Sequence, residues 1–428
     1  MPPEPPVNMK RVLLVTYDFP PVGGSGVQRI AKFAKYLPRF GWHPTVLTTR
    51  HGRLGPSDPT LARELMDIEV SRTLAPDPFR WIDAVARAVG LRRSNHPTSL
   101  QGDRLRPWHP GAWLIPDGKV AWIPFGVSWA LQRGPPERCD IVLSTLPTPT
   151  AAILGTLIAD IWGVPHVMDY RDPWSGAFYT PARPPLFERA EARLERAVVS
   201  KATAVAVAPG ADVTLPALDI PVRVIHNGFD ESDFDHVLPK RPNGGFVIAH
   251  VGTLWKGRDL TPLIGALDLL HESQPGLAGH IHLLQVGRLD HHVAQQFTQL
   301  GARFQVTVIP SVSHPDAIAY MLGADLLYLP TTHGLVPGKT YEYLRSGTPT
   351  LALAAKGSHL QSLLAETGGG ELIDGRDLND IAHFIEKCMR QSDHPSPTVP
   401  AALARYSRLA AADRLAKLLN EAVAPAIT

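Results

Sequence analysis

The sequence has few cysteines and no long apolar run. Its 428 residues include two cysteines, Cys139 and Cys388, which are too few for a disulfide framework and lack the spacing of metal ligands. No uninterrupted apolar run approaches the roughly 18 residues that a membrane-spanning helix requires. Residues 1–8 are rich in proline, lack the pattern of a signal peptide and are expected to form a disordered leader. These absences favour a folded cytoplasmic protein.

The chain also lacks an excess of charge of either sign. The 42 Lys and Arg residues nearly balance the 40 Asp and Glu residues, which argues against a general nucleic-acid binder. Proline, in contrast, is abundant: 31 of the 42 prolines lie in residues 1–243 and 11 lie after them. Together with the length, this uneven distribution predicts two domains that divide near the middle of the chain.

Short apolar runs alternate with helical periodicity in both halves. This alternation predicts an α/β protein with two doubly wound parallel sheets, and ligands are expected at the carboxyl ends of the strands. The expected organisation is a first domain over 9–212, a linker region over 213–243, a second domain over 244–400 and a C-terminal helix over 401–428. Within the first domain, residues 76–136 are expected to form an irregular insertion.

Two motifs of the first half follow predicted strands. Gly23, Gly24 and Gly26 lie between a strand and a helix, where free N–H groups favour an anion; a tight turn without a ligand is the alternative. The segment from Asp169 to Trp174 also follows a strand, and its Arg171 and Asp172 could clamp a phosphate or orient a hydroxyl. A structural ion pair is the alternative there.

Two further motifs lie in the second half. Gly252 and Thr253 follow its first strand, and Lys256 and Arg258 lie in the loop after them. Two cations beside a helix N-terminus suit a diphosphate. Solvated loop charges are the alternative. The strongest motif begins a helix and consists of Gly338, Lys339 and Glu342. There the lysine can face phosphate, and the glutamate, on the same helix face, can accept hydrogen bonds from a ribose diol. A plain surface Lys–Glu pair is the alternative.

Residues 79–133 combine tryptophan with positive charge. They hold five of the nine tryptophans and eight Arg or Lys residues against three Asp. This composition is typical of a membrane interface or of a surface for a hydrophobic acceptor. The favoured alternative is an insertion packed on the first domain.

Several enzyme classes lack their motifs in this sequence. H-E-x-x-H, G-x-S-x-G and G-x-x-x-x-G-K-[ST] are all absent, which disfavours zincins, α/β-hydrolases and P-loop NTPases. Asp233 and Asp235 could bind a metal diphosphate, but they fall in the expected linker after the Asn227-Gly228 turn signal. No bound metal is expected.

In their order along the chain, these motifs resemble the GT-B glycosyltransferases, specifically glycosyltransferase family 4. The resemblance runs from about residue 10 to residue 420 through the blocks Thr16–Gly24, Arg171–Trp174, Asn227–Asp230, His250–Thr253 and Gly338–Tyr343. It implies two Rossmann-like domains facing across a cleft, with the last helix returning to the first domain. It also implies a nucleotide-sugar donor held mainly by the second domain and transfer with retention, without a metal.

The resemblance also assigns roles to single residues. It implies catalytic roles for Arg171, Asp172, Lys256 and Arg258. It implies donor contacts for Gly23, Gly24, Gly252, Thr253, Lys256, Arg258, His333, Gly338, Lys339 and Glu342. Acceptor-side candidates are Asp18, Asp169 and Trp174. The sequence departs from the family at Gly334, where the first Glu of the donor motif is missing, and at Arg171, where many members carry His; His333 or Lys339 could replace the missing Glu.

The sequence therefore predicts a retaining glycosyltransferase. Its donor would be a nucleotide-sugar, with a UDP-sugar as the first expectation, and its acceptor a hydroxyl compound that could be lipid-linked or hydrophobic. Peripheral contact with the inner face of a membrane through residues 79–133 accompanies the lipid-linked alternative. Two other functions on the same fold stay open: a non-catalytic nucleotide-sugar-binding subunit and a nucleotide-sugar epimerase.

Overall fold

A computed structural model describes residues 9–50, 58–76, 113–134, 139–175, 183–211, 219–331, 336–391 and 401–424. The chain divides into two compact units. The first unit comprises Met1–His226 and Arg408–Thr428, and the second comprises Asn227–Ser407. Each unit contains one parallel β-sheet with helices around it.

The sheet of the first unit has seven strands in the order β3-β2-β1-β4-β5-β6-β7. The strands are β1 Lys10–Val15, β2 Trp42–Thr49, β3 Glu69–Thr73, β4 Ile141–Thr145, β5 His166–Tyr170, β6 Ala204–Val207 and β7 Val222–Val224. Every residue of β4, β5 and β6 is buried, as expected for parallel strands covered on both faces. Because the strand order reverses between β1 and β4, ligand-binding loops are expected at their carboxyl ends.

The helices of the first unit cover both faces of this sheet. They are α1 Ser25–Tyr36, α2 Pro59–Arg63, α3 Ile123–Arg133, α4 Pro149–Trp162 and α5 Pro185–Val199. The C-terminal helix, which is α13 Arg408–Val423, packs in the same core as α1. Its buried Leu415 and Leu419 join Ile30 and Ala34 of α1 in that core, which places this helix in the first unit.

The sheet of the second unit has six strands in the order β10-β9-β8-β11-β12-β13. The strands are β8 Phe246–Val251, β9 Ile281–Val286, β10 Gln305–Ile309, β11 Leu326–Pro330, β12 Thr350–Leu353 and β13 Gly370–Ile373. The helices are α6 Thr261–Ser273, α7 Pro275–Ala278, α8 His291–Leu300, α9 His314–Leu322, α10 Lys339–Ser346, α11 His359–Thr367 and α12 Leu378–Arg390. Ser313 caps the start of α9, since its Oγ accepts a hydrogen bond from the N–H of Asp316 at 3.3 Å.

The expected linker over 213–243 is not a separate segment in the structure. Val222–Val224 forms the edge strand β7 of the first sheet. Phe229 and Phe234 are buried in the core of the second unit, so the division falls between His226 and Asn227. The expected helix over 401–428 also changes, because Leu403 and Tyr406 pack in the second unit and only the segment from Arg408 belongs to the first.

The expected irregular insertion over 76–136 contains a regular helix, α3. Gly126 in the middle of α3 lets this helix approach α4 closely, since a Cβ on Gly126 would lie 2.4 Å from Leu154 Cδ2. Trp122, just before α3, is fully buried, and its indole N–H donates to Thr73 Oγ1 at 2.7 Å. The described part of the insertion therefore packs on the first sheet. None of the described helices has the length and apolar character needed to cross a bilayer.

Candidate functional site

The second sheet reverses its strand order between β8 and β11, and the predicted donor residues follow these two strands. Gly252 comes directly after β8, and Lys339 begins α10, which follows β11. Gly252 has a φ of 137°, and a Cβ at this position would lie 3.1 Å from Lys339 Nζ. Only glycine fits such a conformation without strain, and its lack of a side chain leaves room for the ammonium group.

Lys339 lies against a buried histidine that the sequence reasoning left without a role. Its Nζ is hydrogen-bonded to Nε2 of His250, the second-last residue of β8. Burial, with a further contribution from the nearby Arg258, lowers the pKa of Lys339 well below its usual range. An anion bound beside Lys339 would reverse this shift, because a negative charge favours the protonated amine.

The loop after Gly252 presents two cations in different environments. Lys256 is exposed, and its backbone N–H donates to Asp290 Oδ2 at 2.7 Å. Arg258 is half-buried, with its guanidinium over the ring of Trp255 at 4.6 Å, and burial lowers its pKa to about 10. Arg258 Nε has no hydrogen-bond partner among the described residues, so this group retains a donor for a ligand.

The first turn of α10 carries the predicted lysine and glutamate on one edge. Lys339 and Glu342 are partly exposed, whereas Thr340, Tyr341 and Tyr343 are buried. The N–H groups of Thr340 and Tyr341 donate to the carbonyls of Pro337 and Gly338 at 3.0 and 3.3 Å, and the positive end of the helix dipole adds to the potential of the lysine. The predicted common face of the lysine and the glutamate is therefore present.

Glu342 has neighbours that the sequence did not indicate. Its Oε1 lies 3.6 Å from His314 Nε2, and the same nitrogen lies 3.2 Å from Asp233 Oδ2. His314 belongs to α9 and Asp233 to the segment before the second sheet, so only the fold brings them to Glu342. Gly338 and Thr253 lie at the turns that frame this cluster, and His333 lies outside the described residues.

In the first unit, the structure places Arg171 against the glycine loop. Gly24 precedes α1, and its carbonyl accepts hydrogen bonds from the N–H groups of the first turn. A Cβ on Gly26 would lie 2.3 Å from Arg171 Nη1, so this position must lack a side chain for the guanidinium to pack there. Arg171 is paired with Asp172 at 2.7 Å. Gly23 and Asp18 lie partly exposed at the end of β1 and in the following loop.

Two of the acceptor-side candidates, Asp169 and Trp174, are buried and have partners within the first unit. Asp169 is fully buried and ion-paired with Arg29 at 2.8 Å, and it also accepts a hydrogen bond from Thr145 Oγ1. Trp174 is 1% exposed and packs with Tyr170 and Val198. Asp169 is in a strand that faces the protein interior on both sides, and the chain after Asp172 turns Trp174 back into the core.

A buried glutamate is hydrogen-bonded to the residues on both sides of the Arg171 segment. Glu195 of α5 accepts hydrogen bonds from the hydroxyls of Tyr170 and Ser175, which flank residues 171–174. Burial raises the pKa of Glu195 to about 7. Glu195 therefore fixes both ends of the segment that carries Arg171 and Asp172. In the sequence its only signal is a position on the buried face of an otherwise charged helix.

One protein family matches most of the second unit. Residues 245–391 match the family Glycosyl transferases group 1. This match covers most of the second unit, including both of its predicted motifs. No curated protein matches the sequence.

Solved structures with the same fold cover nearly the whole chain. HepE from Anabaena, in complex with UDP and glucose, has a TM-score of 0.61 and 18% identity over 96% of this chain and 99% of its own. Sucrose-phosphate synthase from Thermosynechococcus elongatus has a TM-score of 0.62 and 16% identity over 96% and 98%. A glycosyltransferase from Rickettsia africae has a TM-score of 0.61 and 15% identity over 98% and 100%. The GT-B fold class predicted from the sequence is confirmed.

Proposed function

We propose that this protein is a glycosyltransferase that moves a sugar from a nucleotide-sugar to a hydroxyl group of an acceptor. The contact of Lys339 with Gly252, together with Arg258 close enough to act on the charge of Lys339, carries this proposal, because it presents positive charge at the switch point of the second sheet. The family match over residues 245–391 supports it, as does the likeness to HepE, which was solved with UDP and with UDP-glucose.

The chemistry that suits these residues is stabilisation of a leaving diphosphate. In the proposed reaction the acceptor oxygen forms a bond to the anomeric carbon while the bond from that carbon to the phosphate oxygen breaks. The acceptor proton passes to the departing phosphate, and attack from the same face retains the anomeric configuration. Arg258, Lys256, Lys339 and the amides at the start of α10 would then stabilise the negative charge on the diphosphate.

We further propose that these protein cations act without a bound metal ion. A divalent ion in such a reaction neutralises charge on the leaving diphosphate. Here two guanidinium or ammonium groups in one loop and a third from a helix N-terminus can supply that charge instead. In this proposal the donor is a UDP-sugar, and the acceptor contacts the first unit through residues near Arg171 and Asp172.

A panel of nucleotide-sugars tests the donor assignment. Thermal unfolding measured with UDP, GDP, TDP, ADP and CMP sugars in the presence of EDTA should show a rise in melting temperature for UDP-sugars. At a concentration of about 100 times Kd, bound ligand adds about 2.7 kcal/mol to the free energy of unfolding. The Lys339→Met variant serves as the matched control and should show a smaller rise. No shift with any member of the panel would contradict the proposed function.

Turnover of the selected donor then separates the proposal from the two alternatives. Tight binding without transfer to a broad set of acceptors would favour a non-catalytic nucleotide-sugar-binding subunit. An epimer formed from the donor alone would favour an epimerase. Release of nucleoside diphosphate together with a glycosylated acceptor supports the proposed transferase.

We also propose that the first unit contacts a membrane surface, which suits a lipid-linked acceptor. Three large apolar side chains between residues 113 and 131 are exposed: Phe125 at 36% and Leu131 at 63% in α3, and Trp113 at 47%, which contacts Phe187 of α5. They belong to the tryptophan-rich and cation-rich segment, and such side chains suit the interface between headgroups and acyl chains.

Sedimentation with anionic vesicles tests the membrane contact. We expect the wild-type protein to bind vesicles, and the variant with Phe125→Ser and Leu131→Ser to lose most of that binding, because these side chains would enter the interface. The matched control is Ile161→Ser, whose side chain on α4 is 40% exposed and lies outside this segment. Equal binding by all three proteins, or none by the wild type, would contradict the membrane contact.

A further inference from the structure

Two polar side chains are buried opposite each other in the second sheet. His250 of β8 and Gln285 of β9 are partners in the strand register, and both are almost inaccessible to solvent, at 2% and 0%. The preceding pair on the same face, Ile248 and Leu283, is apolar. Buried polar groups destabilise a fold unless hydrogen bonds satisfy them, so the partners of this pair reveal its role.

The hydrogen bonds of Gln285 fix the protonation of His250. The amide Nε2 of Gln285 donates to the carbonyl oxygen of Gly252 at 2.9 Å, which leaves Oε1 to face His250 Nδ1 at 2.8 Å. Since Oε1 only accepts, Nδ1 of His250 carries the proton and Nε2 carries a lone pair. Burial, with Lys339 as the next cause, lowers the pKa of His250 well below its usual value, in agreement with a neutral ring.

The lone pair on His250 Nε2 faces the ammonium group of Lys339. Because Nε2 of His250 carries no proton and can only accept, the hydrogen bond between them runs from Nζ to Nε2. The chain of donors therefore runs in one direction, from Lys339 through His250 and Gln285 to the carbonyl of Gly252. It ends at the residue whose missing side chain makes room for Nζ.

We infer that His250, oriented by Gln285, is a positioning residue that holds the ammonium of Lys339 beside Gly252 to receive the leaving diphosphate. This inference rests on the proposed function for its ligand. A lysine side chain is flexible, and one that is fixed before the ligand arrives loses less conformational freedom on binding. His250 itself is buried beneath the lysine and acts only through it.

Chemical labelling tests the contact without any ligand. Acetylation of each lysine by limiting acetic anhydride is followed by mass spectrometry, with Lys417, whose side chain is 69% exposed, as the internal reference. In the His250→Phe variant the amine loses its acceptor, and we expect Lys339 to react about fivefold faster than in the wild type, the effect of one hydrogen bond. An unchanged rate for Lys339 would overturn the inference, whatever the protein binds.

A double-mutant cycle tests whether His250 acts through Lys339. The measured quantity is the Kd of UDP, with inorganic pyrophosphate as a second probe of the diphosphate contact. We expect His250→Phe to weaken UDP binding about tenfold in the wild-type background and to have almost no effect in the Lys339→Met background. A merely structural role for His250 would give the same loss in both backgrounds and would overturn the inference.

Two further variants make these results specific. His250→Gln places a carbonyl oxygen where Nε2 lies and should restore much of the binding and of the slow acetylation. His282→Phe is the matched control, because His282 is also a buried histidine of the second sheet, bonded to Thr307 Oγ1 at 2.8 Å. We expect it to leave Lys339 labelling unchanged. If the wild type binds neither UDP nor pyrophosphate, the proposed function fails. The acetylation rate of Lys339 still shows whether His250 holds its amine.

Discussion

Replacing Arg258 with alanine should lower the turnover of the nucleotide-sugar by about 100-fold. The guanidinium is half-buried above Trp255, and burial lowers its pKa to about 10, so its charge acts in surroundings that screen it less than water does. A single group that stabilises developing negative charge contributes about 2.7–4 kcal/mol in comparable sites. The measurement is kcat/KM for release of nucleoside diphosphate from the donor that the panel selects.

The variants around Arg258 distinguish charge from packing. Arg258→Lys keeps the charge but loses the planar fork, and Arg258→Met keeps the stem over Trp255 without charge. We expect activity to fall in the order wild type, Lys, Met. Lys256→Ala should also lower turnover, although less, because Lys256 is exposed and its charge is screened by water.

Arg303→Ala is the matched control for this series. Arg303 is also in the second unit and lies over an aromatic ring, that of Phe304, at 5.7 Å, but it is ion-paired with Asp268 on the surface. It should retain wild-type turnover. All variants should keep the melting temperature of the wild type within a few degrees, since the loop is held by backbone hydrogen bonds between Trp255 and Arg258. Near-wild-type turnover in both the Arg258→Ala and the Lys256→Ala variant contradicts the assignment.

The sequence predicts the central strands well because they are buried on both faces. The strands Ile141–Thr145 and Phe246–Val251 are buried along their whole length, and this burial is what produces the short apolar runs in the sequence. The edge strands β3 and β7 have no such run, since Glu69–Thr73 is only half-buried and Val222–Val224 is exposed. Each edge strand pairs on one side only, β3 with β2 and β7 with β6, so its residues need not be apolar on both faces.

The sequence did not predict the helices α3 and α8, because other features of these segments drew attention away from their apolar periodicity. His291 and His292 suggest a solvated surface pair, and both are exposed, but they also begin α8, an unpredicted helix whose Val293, Phe297 and Leu300 face the core. In α3 the proline and the glycine suggest irregular structure. The proline is at the helix start, where its missing N–H needs no partner, and the glycine is at a helix contact.

The candidate site divides in the same way between local and distant signals. Glycines after strands and a lysine at a helix start are local patterns, and the structure places Gly252 and Lys339 in contact. The roles of His250, Gln285 and His314 depend on strand register and helix packing, which no local pattern encodes. The ion pair of Asp169 is equally hidden in the sequence, because its partner Arg29 is 140 positions away.

The Asp169→Ala variant should lose about 3 kcal/mol of unfolding free energy. Asp169 and Arg29 have no exposed side-chain surface, and their ion pair is joined by a bond from Thr145 Oγ1 to Asp169. Removing the carboxylate leaves a buried guanidinium without its counter-charge at this position, although it keeps contacts such as those with the carbonyl of His226 at 3.0 Å and the ring of Phe33. Breaking one side of a buried pair typically costs about 3–5 kcal/mol.

Urea unfolding followed by tryptophan fluorescence measures this loss in the correct unit. Eight of the nine tryptophans precede residue 227, so the signal reports mainly on the first unit. Replacing both partners, with Arg29→Leu and Asp169→Leu, should recover part of the lost stability, because no uncompensated charge is then buried. As the matched control, Asp160→Ala breaks the surface pair with Lys201 and should change stability by less than about 1 kcal/mol.

The same variants decide between a structural and an acceptor-binding Asp169. If the carboxylate contacted the acceptor, Asp169→Asn would abolish turnover and leave the unfolding transition in place, since the amide is close in size and retains one oxygen acceptor. If Asp169 instead serves only in the buried ion pair, Asp169→Asn lowers the free energy of unfolding. Its turnover then falls only in proportion to the fraction of protein that is still folded under the assay conditions. Arg29→Met should then reproduce the loss of stability from the opposite side, which an acceptor contact at Asp169 does not predict.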